Sequence, residues 1–410
     1  MFLVLLAGLA LALGARQEPL AAWDNAFADF LARHSRRTAA PAPVTLVGID
    51  DSTLGLYPWP WSPEKFAIFF QVMQPLQPEV LACDEVLVWS RFGLPEEQQR
   101  LLPSNEQLLR EKILTAGKVL LGSALGFPED PAVIPPLQEV PVLRKVTGAV
   151  TDIPEFSLIE RQPVENYRLS STVGFTNLPA VYERSNAVPL VLRYRGQVVP
   201  AFVLQAVMLW LQLTPDDVTV EPGAQILLGK NLRIPIDTAG RMRVDFGSPR
   251  GECSFGDLML AAEQRDAGGT PVVRLDRLKG GIVLLARTDP AARTVALAAG
   301  RKGSPGELFA AAIATIQNQS FIRRAPRWAE GVVIAAFMLI SYRVPRLKKG
   351  WAPLIGCVAL VVYAMAAMAV FSRWLVWLPG LIPLGAVLVM VLLRVVTPDA
   401  AGRPKRPVIF

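Results

Sequence analysis

Histidine is almost missing from this chain: His34 stands alone among 410 residues, and cysteine occurs three times. A single imidazole nearly eliminates His-built metal centres and the Ser-His or Cys-His pairs of nucleophilic enzymes. Three cysteines, Cys83, Cys253 and Cys357, exclude a disulfide framework. Cys83 lies in an apolar run and reads as a buried thiol, not as half of a bridge to Cys253. Acid is scarce at the C-terminal end. Residues 343–410 hold nine Lys/Arg and one carboxylate, a balance of +8 within a whole-chain charge of +7. The remaining residues are close to neutral, so a pI of about 9.5 is no nucleic-acid footprint. Internal repeats and low-complexity tracts are also lacking.

Long uncharged apolar stretches are abundant instead. Trp351–Phe371 and Trp374–Leu393 each supply about 20 residues without an ionisable group, enough at 1.5 Å per residue to span a hydrocarbon core. Gly331–Tyr342 is weaker and spans only if its flanks, Glu330 included, reach the interface. Arg343, Arg346, Lys348 and Lys349 fill the next loop without an acid, and Arg403, Lys405 and Arg406 lie in the tail. The positive-inside rule makes that loop and the C-terminus cytoplasmic, which places the long segment 16–327 outside the cytosol. Met1–Ala15 reads as the inbound helix. It has no basic leader, and Leu13-Gly14-Ala15 is a poor cleavage site, so an uncleaved anchor is expected over a signal peptide. Four regions follow: an anchor at 1–15, an extracytoplasmic domain at 16–327, three membrane helices at 328–396 and a cytoplasmic tail at 397–410. A tail that short cannot fold, so a signal is expected to leave through a partner.

Within 16–327 the pattern alternates. Leu20, Trp23, Phe27, Phe30 and Leu31 recur at helical spacing. VTLVGI (44–49) is a continuous apolar run, as in a strand buried on both faces. Ser62-Pro63 opens a helix through Phe66, Phe69, Phe70 and Met73, and EVLAC (79–83) is the next strand. Ser104-Asn105-Glu106-Gln107 has capping-box spacing and predicts a helix over 104–115. KVLLG (118–122) completes β-α-β-α-β, for which parallel pairing is the default. Prolines interrupt 127–163. Beyond them the sequence predicts a hairpin turning at Arg195-Gly196, a helix over 201–213, a strand pair LRIPI with RMRVDF around Asp237–Gly240, a buried strand GIVLLA (281–286), and a helix from Pro305 to about Asn318. The expected fold is α/β: one mixed, mostly parallel sheet with flanking helices, tethered to a helical membrane region with one helix before it and three after. Val47, Ile49, Val80 and Leu81 should be buried.

Those residues resemble the CHASE type-two family, extracellular sensory domains of bacterial signalling proteins. Ile49-Asp50-Asp51-Ser52, Trp59-Pro60-Trp61 and Asp84 match its opening strand–turn, Trp-Pro-Trp loop and strand-ending aspartate. Val173–Asn177, Ile234–Asp237 with Gly240, Ile282–Leu285 and Ser304–Ala310 follow in order. Three features depart from the family pattern. Tyr182-Glu183-Arg184-Ser185-Asn186 replaces an acidic, Gly-containing cluster, Phe309 stands where histidine is common, and the usual cytoplasmic kinase or cyclase module is missing. The resemblance implies a non-enzymatic, bacterial inner-membrane sensor, with an extracytoplasmic ligand or protein partner and a separate membrane or cytoplasmic effector. An envelope scaffold and a membrane-anchored hydrolase are the alternatives. Membrane lipids are partners, nucleic acid is not, homo-oligomerisation is left open, and no cofactor or metal is expected.

Candidate site residues follow from the sheet. Asp50, Asp51 and Asp84 close two strands, and ligands gather at carboxyl ends in parallel α/β sheets. They are candidates for a small-ligand or hard-cation site. The plainer reading has them bonding turn amides and capping a helix, with loss of Asp51 destabilising the fold. Trp59 and Trp61, on a proline-stiffened loop, suit sugar or peptide recognition or else form a hydrophobic lid.

Overall fold

The computed structural model describes residues 20–35, 40–90, 96–128, 138–178, 186–297, 301–343 and 351–396. The expected anchor at 1–15, the 344–350 loop and the 397–410 tail lie outside them. The chain divides into two compact units, Ala39–Phe321, and Met1–Thr38 together with Ile322–Phe410.

In the first unit β1 (Val44–Ile49), β2 (Val80–Cys83) and β3 (Val119–Gly126) take the three apolar runs. β4 (Leu158–Arg161), β5 (Thr172–Phe175), β6 (Gly251–Ser254) and β7 (Ile282–Arg287) complete a seven-stranded sheet. Its order is β6-β1-β7-β2-β3, with β5 and β4 both paired to β3. Every pairing is parallel except β3 with β4. Two-residue alternation sends the strand side chains to two cores. Val44, Leu46, Val80, Ala82, Ile282 and Leu284 meet the helices α4 (Phe202–Trp210) and α6 (Pro305–Gln317) on one face. Val47, Ile49, Leu81, Cys83, Val283 and Leu285 meet α2 (Pro63–Met73) and α5 (Phe255–Asp266) on the other. Val47, Ile49, Val80 and Leu81 are fully buried as expected. Each such aliphatic side chain contributes roughly 1.5–3 kcal/mol relative to exposure.

The fold departs from the sequence reading in three places. The sheet is not single: a three-stranded and a four-stranded sheet and smaller pairs accompany it. The hairpin at Arg195-Gly196 forms, both residues taking positive φ (49° and 78°). LRIPI and RMRVDF do not pair with each other. Leu232–Pro235 joins Gln225–Leu228, and Arg241–Arg243 joins Ala187–Pro189. Asp237 directs this split by accepting from the Ala239 and Arg241 amides and from the Arg241 guanidinium, which folds the linker on itself. Finally, α3 (Glu96–Thr115) starts well before Ser104, whose hydroxyl donates back to the Leu101 carbonyl instead of capping.

The second unit is helical. Leu20–His34, assigned by sequence to the soluble domain, belongs here because Ala28 and Leu31 find their apolar partners in Ala367, Phe371, Leu375 and Trp377. Buried Asp24 accepts from the Gly380 amide (2.7 Å) and pairs with Arg324 (3.0 Å), which also reaches Glu330 (3.3 Å). Of the three helices Arg327–Arg343, Trp351–Trp374 and Leu381–Val396, one stretch, Pro353–Trp374, is long and apolar enough to cross a membrane. The described parts of the other two have 17 and 16 residues.

Where α6 crosses the sheet, a Cβ on Gly306 would stand 2.2 Å from the Ala286 Cβ on β7. Gly306→Ala should therefore push α6 off the sheet and destabilise the protein by about 1–3 kcal/mol, the usual cost of overpacking. Thermal denaturation of the full-length protein checks this; an unchanged melting temperature would refute the packing.

Candidate functional site

Asp50 follows β1 and caps α1 (Asp51–Leu56). Its Oδ1 accepts from the Thr53 amide (2.9 Å) and from the Ser52 and Ser254 hydroxyls (2.9 and 3.0 Å). Burial pushes its carboxyl up, but the hydrogen bonds from Thr53, Ser52 and Ser254 outweigh it and hold the group below the usual carboxylate range. Asp51 is exposed in the first turn. The capping role expected of Asp51 thus belongs to Asp50.

Asp84 is different in kind. Its Oδ1 is closed off from solvent and accepts no hydrogen bond from the described residues. Its Oδ2 faces Gly306 at the start of α6, 3.4 Å from where a Cβ would stand. Burial pushes the carboxyl well above its ordinary range, and the neighbouring Glu85 adds to the effect. Asp84 and Asp50 do not end adjacent strands. β7 runs between β1 and β2, separating the strand ends by two spacings, about 10 Å. Among the described residues no group of His, Cys, Asp and Glu side chains is gathered as a metal would require.

What stands beside Asp84 and Glu85 comes instead from the end of β7. Arg287 ends that strand, and its Nε and Nη2 donate to the two carboxylate oxygens of buried Asp289, both at 2.8 Å. Its guanidinium lies 4.5 Å from the centre of the Trp59 ring. Glu85 is pushed up by burial, a shift opposed by Arg287 and Arg161 and reinforced by Asp289. The signal was present in the sequence: Arg287-Thr288-Asp289 directly follows an apolar strand, as Asp84-Glu85 does.

The Trp-Pro-Trp loop divides its roles. Trp61 is core, packed on Phe66 and Phe255 (5.6 and 4.7 Å between centroids), with its indole N–H donated to the Tyr57 carbonyl. Its burial rules out the surface-recognition role. Trp59 is partly exposed and presents its ring to Arg287. At these strand ends Arg287 binds Asp289 and lies over the Trp59 ring, while Arg287, Arg161 and Asp289 act electrostatically on Glu85, and Glu85 on Asp84.

Two predictions follow from this geometry. Asp50→Ala should destabilise the fold by about 0.5–2 kcal/mol through the lost cap, while Asp51→Ala should stay within about 0.5 kcal/mol; chemical denaturation of both variants compares them directly. At Asp84 the folded-state carboxyl titrates higher than the unfolded one, so its contribution is fully present at acid pH and lost as pH rises through the folded value. Asp84→Asn should leave the melting temperature unchanged near pH 4 and raise it at pH 8 to 9, by about 2–4 °C for each kcal/mol recovered. Equal melting temperatures at alkaline pH would refute the buried, unpartnered carboxyl.

No curated protein and no solved structure matches this chain. A family model does: the CHASE2 domain matches residues 4–342. CHASE2 domains are extracellular sensory domains, not catalytic ones. With most of its length matched and the strand, loop and helix motifs in their expected order, the chain belongs to the CHASE2 domain family.

Proposed function

We propose that this protein is a multi-pass sensor of the bacterial inner membrane. Residues 39–321 face the extracytoplasmic side, and the signal passes to a separate effector protein. The observation that carries the sensory reading is the charged cluster at the carboxyl ends of β2 and β7. A parallel sheet receives its ligands at that edge, and there Asp84 keeps one buried carboxylate oxygen without a hydrogen-bond partner among the described residues. The membrane reading is supported by Pro353–Trp374, which leaves Leu354, Val358, Val361, Val362 and Met365 exposed on one helix. A row of that kind is stable against lipid and costly against water. Arg327–Arg343 and Leu381–Val396 cross as shorter spans packed on each other, with Val333, Ile334 and Phe337 against Ile382, Ala386 and Val387. Loop charge then sets the orientation.

Reporter fusions after Gly122, Lys349 and Phe410 test the topology. Gly122 should report outside, Lys349 and Phe410 inside; a cytosolic Gly122 reporter overturns the sensory reading. Neutralising Arg343, Arg346, Lys348 and Lys349 together should scramble the orientation, measured with the same reporters.

A further inference from the structure

We propose that the proton is a ligand of the β2–β7 crevice: Asp84 and Glu85 hold one proton between them, and its loss is read by Arg287 and the Trp59 loop. The inference rests on the sensory reading above and names the stimulus for that same site.

Charge balance carries it. Asp289 is paired with Arg287 (2.8 Å), and Glu85 feels the charges of Arg287 and Arg161, which makes two anions against two cations. Asp84, on the same strand end as Glu85, adds a third carboxyl with no cation of its own among the described residues and with one oxygen sealed from solvent and unbonded there. As a neutral acid it completes a balanced cluster; as a carboxylate it leaves an uncompensated buried anion, which a low-dielectric site strongly disfavours. The other titratable groups on the packed elements are committed elsewhere. On α6, Glu307 pairs with Arg301 (2.8 Å) and accepts from the Ser304 amide. On β1, Asp50 serves α1. On α2, Lys65 lies over the Tyr57 ring. On β2 itself, burial holds the Cys83 thiol far above its ordinary range.

Release of the proton breaks the carboxyl O–H bond, sends H⁺ to solvent and leaves the electron pair on oxygen. Three carboxylates then compete for two guanidiniums. Arg287 sits on the strand hydrogen-bonded to β2, so the new anion draws it away from Asp289. Any such turn also lifts the guanidinium off the Trp59 ring, now 4.5 Å away. The proton is thereby converted into a change of the loop that Trp59 anchors.

The test uses the full-length protein in lipid nanodiscs, with tryptophan emission followed from about pH 5 to about pH 9. The wild type should show one transition, and Trp59→Phe should remove most of its amplitude. Asp84→Asn should be flat, held at the acidic-side emission. Glu85→Gln should fold and move the midpoint down by at least about one pH unit, because it leaves two cations against one anion beside Asp84. A flat wild-type titration, an Asp84→Asn protein that titrates like wild type, or an unmoved midpoint in Glu85→Gln each overturns the proposal. If Asp84→Asn does not fold, the Glu85→Gln midpoint decides alone. The reporter fusions judge the sensory reading separately. A cytosolic Gly122 with an intact titration removes that reading and keeps the proton, whereas a flat titration in a correctly oriented protein removes only the proton.

Discussion

The sheet depends on one late arrival. β1 and β2 lie less than 40 residues apart in the chain, yet neither pairs with the other; both pair with β7, which begins at Ile282. Until that strand is made and inserted, the two strands that carry the opening motif have no ladder between them. Everything at the crevice inherits this. Arg287, Thr288 and Asp289 stand next to Asp84-Glu85 only because β7 fills the gap, and α6 reaches Asp84 only because it follows β7. Pairings of such long sequence separation slow folding, and they make the site a product of the completed domain.

How much could be read in advance depends on how strongly each segment states its own preference. β1, β2, β3 and β7 were legible as continuous apolar runs, and α6 as a capping box whose Ser304 and Glu307 bond reciprocally. β6 was not, since Gly-Glu-Cys-Ser has no strand pattern and becomes one by pairing along the sheet edge with β1. The start of α3 was misplaced because a good cap signal at Ser104 is overridden by continuing helix on its N-terminal side. At the site, sequence named Asp50, Asp84 and Trp59 but not their relations. Strand order is a tertiary fact, and it took β7 between β1 and β2 to separate Asp50 from Asp84 and to bring in Arg287. Trp61 illustrates the same limit: two tryptophans in one stiff loop look alike until Phe66 and Phe255 claim one of them.

The two units handle buried charge differently. In the helical unit Arg324 lies between Asp24 and Glu330, and the Gly380 amide takes up a further lone pair of Asp24. Removing one partner of such a group is costly, because the remaining charge stays buried. This arrangement suits a fixed joint between Leu20–His34, Arg323–Arg324 and the connection at Gly380. Asp84 in the other unit has no such partner, and its state is set by the surroundings and not by a bond. A rigid joint and a responsive group are thus built from the same residue type, distinguished by what faces it.

The cysteines gain a meaning from strand order. Cys83 is on β2 and Cys253 on β6, both unbridged, with β7 and β1 between them. Three strand spacings are about 14 Å, twice the roughly 7 Å beyond which a disulfide cannot close. The native fold therefore keeps the two thiols apart by geometry. A chain that is still unfolded has no such protection, and in an oxidising compartment the two sulfurs would be free to join before β7 arrives. A bond between them would forbid the native strand order.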